Sequence, residues 1–213
     1  MAFRDRQDAG RRLATRLAGL RGPRTVVLGV PRGGVPVAAE VARAIGAPLD
    51  LVVVRKVGAP IQPELAIGAV AEGGVALVDR DAARSVGAAT GEVERLVADR
   101  RAELEARVRA LRGDAPPRDL AGAVAVIVDD GLATGLSDLA AVASARGRGA
   151  ARVVVAAPVG SPQAVEMLAA DAGECICALI PRRFGSVGRW YDDFEPVSDD
   201  EVRALLAAGG APG

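Results

Sequence analysis

The stretch VIVDDGLATGLSD, Val126–Asp138, runs from an apolar segment through two adjacent carboxylates into a loop of small residues. The apolar run 123–128 reads as a buried strand. The residues from Thr134 onward, TGLSDLAAVASARG, have the spacing of a helix. A strand that ends in polar chemistry and passes straight into a helix is one half of a βα unit. The same grammar appears upstream, where TVVLGV (25–30) is followed by PRGG and a helix to about Ala44. It appears downstream, where 151–160 is a strand and Ser161 caps a helix from Pro162 to about Ala170. A last strand is expected at 174–180.

Apolar strands alternating with helices predict an α/β fold with a doubly wound, mainly parallel sheet. Ligands of such sheets lie at the carboxyl ends of the strands, near a reversal of strand order. The chain reads as one domain over residues 1–213, without internal repeat. Leu13, Leu17 and Leu20 mark an N-terminal amphipathic helix. LDLVVVRK (49–56) reads as a single strand, and 66–71 and 75–78 as a hairpin across EGG. The segment 91–112 is a long helix with Val93, Leu96, Val97, Leu104, Val108 and Leu111 on its apolar stripe. A short helix from Ser198 to Leu206 precedes a frayed tail, 207–213.

Composition excludes several kinds of chemistry. Acids and bases balance to a formal charge of zero, which argues against a nucleic-acid binder. The longest apolar runs fall far short of a membrane span and no signal peptide is recognisable, so a cytoplasmic location is expected. The absence of histidine removes histidine general bases, Ser-His triads and histidine-ligated metals. Cys175 and Cys177, two apart in a strand-like run, read as reduced core or site-lining thiols. Lys56 is the only lysine in a chain that otherwise uses arginine; it marks either a need for an ammonium or chance retention.

Three strand ends carry polar loops. After Val128, Asp129 and Asp130 precede Ala133, Thr134, Gly135, Leu136 and Ser137 at a helix start. Unpaired N–H groups there favour an anion, Gly135 permits close approach, and Thr134 and Ser137 add hydroxyls. Carboxylates repel phosphate but accept hydrogen bonds from vicinal hydroxyls, so a ribose 5-phosphate suits both halves of the loop. A Walker A loop and a G-x-G-x-x-G turn are absent, and Gly131 stands where a D-x-D phosphatase needs its second acid. After Val30, Arg32, Gly33 and Gly34 form a second anion site or simply a tight turn before a helix. After Val54, Arg55 and Lys56 enter from a strand end, and Pro60, Pro63 and glycines make a mobile cover. Glu64 is the one carboxylate there: a proton carrier or a loop ion pair. Phe184, Trp190, Tyr191 and Phe194 lie within a short span of a chain poor in aromatics, as a stacking surface, a plug for a small core, or a subunit contact.

The stretch VIVDDGLATGLS resembles the phosphoribosyl-pyrophosphate (PRPP) motif of type I phosphoribosyltransferases, with DDGLATG closest to adenine-type members. The longer pattern VPRGGVPVAAEVA, RKVGAP, PELAIGAVAEGG, VDDGLATG and WYDDF is similar to a bacterial branch of that family and covers most of the chain. The resemblance implies that Asp129 and Asp130 hold the ribose hydroxyls and that Ala133–Ser137 bind the 5-phosphate. The turn Arg32, Gly33 and Gly34 looks like the family's pyrophosphate loop, with Arg55 as a further pyrophosphate candidate. The segment that carries Lys56 and Glu64 is similar in position to the family's flexible catalytic loop, with Glu64 as the candidate proton donor or acceptor. The segment 180–197 would be a hood presenting Phe184, Trp190 or Tyr191 to a nucleobase. Mg²⁺ would travel with the substrate, without direct protein ligands, bridged by water to Asp129 and Asp130. The implied reaction moves ribose 5-phosphate from PRPP to a nitrogenous base and releases pyrophosphate. Ala133 stands where 6-oxopurine enzymes carry an aspartate, which leaves the base open. The alternative is a PRPP or nucleotide sensor without turnover. Long helices and an aromatic edge suit a homodimer.

Overall fold

In the computed structural model, which describes residues 2–209, the strand that leads into the acid pair is Val124–Val128 (β6). It lies beside Thr25–Gly29 (β1), Leu49–Leu51 (β2), Arg152–Val159 (β7) and Cys175–Leu179 (β8) in one sheet of order β2-β1-β6-β7-β8. Every pairing in it is parallel, with Gly29 opposite Val128 and Val128 opposite Ala156.

The period of two along β6 sends its side chains alternately to the two faces. Ala125 and Ile127 pack with Ala141, Val142 and Ala145 of the helix Leu136–Gly147 (α5) and with Ala164, Leu168 and Ala172 of the helix Pro162–Ala172 (α6). Val126 and Val128 pack on the other face. Their partners are Leu13 and Leu17 of the helix Arg6–Leu17 (α1) and Val37, Val41 and Ile45 of the helix Gly34–Ile45 (α2). Burial on both faces explains why these strands read as unbroken apolar runs.

The segment 49–56, expected as one strand, is divided between two sheets. Leu51 still pairs with Gly29, and the Val52 N–H donates to the Gly29 carbonyl at 3.1 Å. One residue on, the Val53 N–H donates to the Glu72 carboxylate at 2.8 Å, and the chain turns away from β1. Val54–Gly58 (β3), Ala66–Ala71 (β4) and Val75–Val78 (β5) then form a separate three-stranded antiparallel sheet. Arg55 and Lys56 therefore belong to a strand of this second sheet, and the loop they were expected to open begins only after Gly58.

A buried ion cluster holds the division in place. Arg112, at the end of the helix Thr90–Arg112 (here α4), donates to Asp50 at 3.1 Å, to Glu72 at 2.6 Å and to the Leu51 carbonyl at 2.9 Å. A short helix, Arg80–Ser85 (α3), was not anticipated. Asp79 caps it by accepting from the Asp81 and Ala82 N–H groups, a signal that the sequence DRDAARS does carry. The last helix, Asp199–Gly209 (α7), runs three residues into the segment expected to fray, and 210–213 lie outside the described residues. No helix among the described residues is long and apolar enough to cross a membrane.

Candidate active site

The strand order reverses between β1 and β6, because β1 continues to β2 on one side and β6 to β7 on the other. The two loops leaving these strands, 30–34 and 129–137, therefore meet at the sheet's carboxyl edge. They are in direct contact. A Cβ added at Gly33 would fall 1.9 Å from Asp130 Oδ2, and one at Gly34 would fall 2.5 Å from the Val128 carbonyl and 2.9 Å from Asp129 Cα. No side chain larger than hydrogen fits between the glycine turn and the acid pair. The Pro31–Arg32 peptide in this turn is cis.

The loop 129–137 is fixed from below. Leu132 bridges to Gly160, with the Leu132 N–H donating to the Val159 carbonyl at 2.9 Å and the Ser161 N–H to the Leu132 carbonyl at 2.8 Å. The Ser161 hydroxyl donates to the Ala133 carbonyl at 2.8 Å while accepting from the Ala164 N–H at the start of α6. Gly135 has φ +77°, a left-handed conformation open to glycine, and a Cβ there would meet the Met167 methyl at 2.6 Å. Ala133 and Thr134 are left facing solvent at the mouth of α5, with Leu136 and Ser137 half-buried.

The acids themselves are crowded. Burial raises the Asp129 carboxyl well above the usual range, Asp138 and Asp130 push it further, and Lys56 opposes them. Asp138 was not anticipated. It is 3% exposed on the first turn of α5, with Oδ1 lacking a hydrogen-bond partner, and burial raises its carboxyl to about 7. It shares the face of Ala141, Val142 and Ala145, so an acid within that buried stripe was visible in the sequence at helical spacing.

Its titration has a sign that can be checked. Between about pH 4 and 7 the folded protein holds a proton on Asp138 that the unfolded chain releases, so this group's contribution to stability declines as pH rises through that window. Asp138→Asn removes the decline. It is expected to stabilise the protein at pH 8 by a few kcal/mol, at about 1.4 per pKa unit, and to change little near pH 4. Urea unfolding at the two pH values measures the difference, and equal shifts at both would contradict the assignment.

The remaining expected residues divide into those near the acids and those away from them. Lys56 is exposed on β3, and its ammonium acts on both Asp129 and Asp138. Arg32 is exposed beside the glycine turn, 3.7 Å from Asp199, and Asp199 is gripped by Arg107 of α4 at 2.7 Å. Arg55 is half-buried among Arg107, Arg100 and Arg32; burial and then Arg107 lower its pKa. A basic patch thus flanks the turn. Arg107 was missed because it sits on a helix face that reads as solvated charge. Glu64 is exposed in the loop 59–65 that joins β3 to β4, with no hydrogen bond to the acid pair.

The aromatic segment settles as a plug rather than a stacking surface where Tyr191 is concerned. Tyr191 is 2% exposed, between Phe3 and Phe194 at ring distances of 5.5 and 5.0 Å, so its face is not open to a nucleobase. Its hydroxyl donates to the Asp130 carbonyl at 2.6 Å. Phe184 and Trp190 remain half-buried, the indole N–H donating to the Phe184 carbonyl at 3.0 Å. Val187 fills the space over Gly131, 2.5 Å from where its Cβ would be. The Asp130 carboxylate has a partner that sequence reasoning also missed: Arg6 of α1 donates to its Oδ2 at 2.9 Å.

Comparison with known proteins bears on the family and the fold. The phosphoribosyl transferase domain matches residues 4–188. A protein of Mycobacterium tuberculosis named "Putative phosphoribosyl transferase Rv0571c" is 47% identical over 204 residues, covering 96% of this chain and 46% of its own length. The chain thus spans about half the length of the curated relatives it matches. The crystal structure of TT1426 from Thermus thermophilus superposes with a TM-score of 0.82 at 47% identity, covering 99% of this chain and all of that one. AQ2163 from Aquifex aeolicus, 11% identical with a TM-score of 0.52 and covering 94% of this chain and 85% of its own, shares the fold. The fold is the α/β, mainly parallel sheet of the type I phosphoribosyltransferases, and the chain belongs to the phosphoribosyl transferase domain family.

Proposed function

We propose that this chain binds PRPP and transfers its ribose 5-phosphate to a nitrogenous base, releasing pyrophosphate. The observation that carries this reading is the contact of the glycine turn 33–34 with Asp129 and Asp130 at the reversal of strand order. It supports the reading because a glycine turn, two carboxylates and the mouth of α5 then lie together at the sheet's carboxyl edge, and PRPP has an anionic group at each end of a diol.

In this reading the N–H groups and hydroxyls of Ala133–Ser137 hold the 5-phosphate, and Asp129 and Asp130 accept from the ribose hydroxyls. Arg32, Gly33, Gly34 and Arg55 hold the pyrophosphate. Lys56 offsets the charge gathered on Asp129 and Asp138. Rate enhancement would rest on position and electrostatics, since no activated nucleophile is needed. The half-buried Phe184 and Trp190 are the aromatic faces left to line a base under a hood formed by 180–197. Glu64 reaches a base nitrogen only if the hairpin loop 59–65 bends over the acids.

The residues present fit a magnesium ion carried by the substrate: Asp129 and Asp130 are hard oxygen donors, and their crowding favours positive charge nearby. Bound there, the ion would neutralise charge on the departing pyrophosphate. The proposal extends to a cytoplasmic homodimer that acts on small molecules rather than nucleic acid or membrane.

Incubation with PRPP, Mg²⁺ and a panel of bases should release pyrophosphate with at least one of them. A second reading, a PRPP sensor without turnover, is favoured by Ala133, which offers no carboxylate at that position of the loop, and by the exposure of Glu64. Calorimetry separates the two: PRPP binding with no pyrophosphate release from any base supports the sensor, and no binding refutes both.

A further inference from the structure

We propose that Arg6 is a positioning residue that fixes the Asp130 carboxylate and ties it to the segment 180–197, so that the second acid and the cover above it behave as one unit. Its role in ligand binding rests on the reading of the acid pair given above; the tie itself does not.

Arg6 makes three different contacts at once. Its Nε donates to Asp130 Oδ2 at 2.9 Å. Its Nη1 donates to the Glu195 carbonyl at 2.8 Å, and its guanidinium lies 3.9 Å from the centre of the Phe194 ring. The pair is largely enclosed, with 12% of the Arg6 and 15% of the Asp130 side chain exposed. A planar cation that is hydrogen-bonded on two edges and stacked on a face has little freedom to turn, and lysine cannot reproduce that geometry.

The other end of the same acid is held from the same side. Tyr191 donates its hydroxyl to the Asp130 carbonyl at 2.6 Å. The chain just before α1 is also paired with this segment. The Phe3 N–H donates to the Trp190 carbonyl, the Asp192 N–H to the Phe3 carbonyl, and the Asp193 N–H to the Arg4 carbonyl. Arg6 Nε also lies 3.3 Å from the position a Gly33 Cβ would take, so the guanidinium borders the glycine turn as well. Four parts of the site therefore meet at one side chain: α1, the turn 30–34, Asp130 and the covering segment.

Asp130 needs such a partner. Burial raises its carboxyl, and Arg6 is the largest influence holding it down. The neighbouring Asp129 and Asp138 are themselves acids, and Lys56 acts on those two. With Oδ2 committed to Arg6, the carboxylate has a set orientation before any ligand arrives.

The test uses the full chain, with Arg6→Gln and Arg6→Lys beside the wild type, each checked for an intact cooperative melt. Trypsin cleavage at the exposed Arg182, Arg183 and Arg189 reads the covering segment. Without ligand, Arg6→Gln should be cut there about tenfold faster than wild type, the scale expected for a lost charge-assisted hydrogen bond, with Arg6→Lys between them. Calorimetry with PRPP and Mg²⁺ reads the acid: affinity should fall roughly tenfold or more in Arg6→Gln and recover in part in Arg6→Lys. Unchanged cleavage in a folded Arg6→Gln overturns the tie. Accelerated cleavage with no PRPP binding by the wild type would uphold the tie and refute the ligand. Equal PRPP affinity in wild type and Arg6→Gln would overturn the positioning role while leaving the proposed substrate standing.

Discussion

Replacing Asp129 and Asp130 together by asparagine should abolish pyrophosphate release and weaken PRPP binding by about a hundredfold or more. Two hydrogen bonds from ribose hydroxyls to charged acceptors would be lost, each worth roughly 1.5–3 kcal/mol. The single variants should separate in stability even though both impair binding. Asp129 is a buried acid raised by burial, Asp138 and Asp130, so Asp129→Asn should make the protein more stable at pH 8. Asp130→Asn should not, because it leaves the enclosed Arg6 guanidinium without its counter-charge. A gain in stability with a loss of binding at Asp129 is what a site built at the expense of the fold predicts. Calorimetric titration and thermal melting on the two variants test this. Wild-type PRPP affinity in the double variant would sink the ribose assignment.

The second large effect concerns the fold. Arg112→Ala should destabilise the protein by about 3–5 kcal/mol, the range found when one partner of a buried ion pair is removed. That is a large part of the roughly 5–15 kcal/mol that holds a typical domain. Asp50 and Glu72, with side chains 7% and 10% exposed, would be left without the cation that both contact. Asp50 would keep the Leu51 and Arg118 N–H groups and Arg148 at 3.9 Å, and Glu72 the Val53 N–H, so the cross-link between the two acids would be lost. Urea unfolding at pH 8 measures the cost. A loss below about 1 kcal/mol at pH 8 would mean that packing alone maintains the division between β2 and β3.

What the chain discloses in one dimension follows the range of the interactions involved. The unit from Val124 to Gly147 was legible because strand, acids, loop and helix are contiguous, and the same holds for the turn Arg32–Gly34 with α2. That these two loops touch was inferable from the expectation of a parallel sheet, but not the closeness that excludes a Cβ at Gly33. The break at Val52 was not legible. The apolar run continues through it, and its cause, Glu72 with Arg112, lies far along the chain. Arg6 and Asp130 are 124 residues apart, and no local pattern connects them. For Tyr191 the sequence left the choice open between a stacking surface and a plug. In a chain with so few aromatics, a large ring is as valuable for filling a core as for meeting a ligand, and here its ring is enclosed between Phe3 and Phe194.

Lys56 also has a practical consequence. It is the only lysine of the chain, and it stands exposed on β3 with its ammonium acting on Asp129 and Asp138. An amine-selective acylating reagent therefore finds a single ε-amino group, already located beside the acids. Peptide mass mapping would then separate the label on that one residue from the label on the terminal α-amine, and any molecule that shields Lys56 would appear as slower labelling at that position. The chain carries its own probe for screening ligands without the substitution of a single residue.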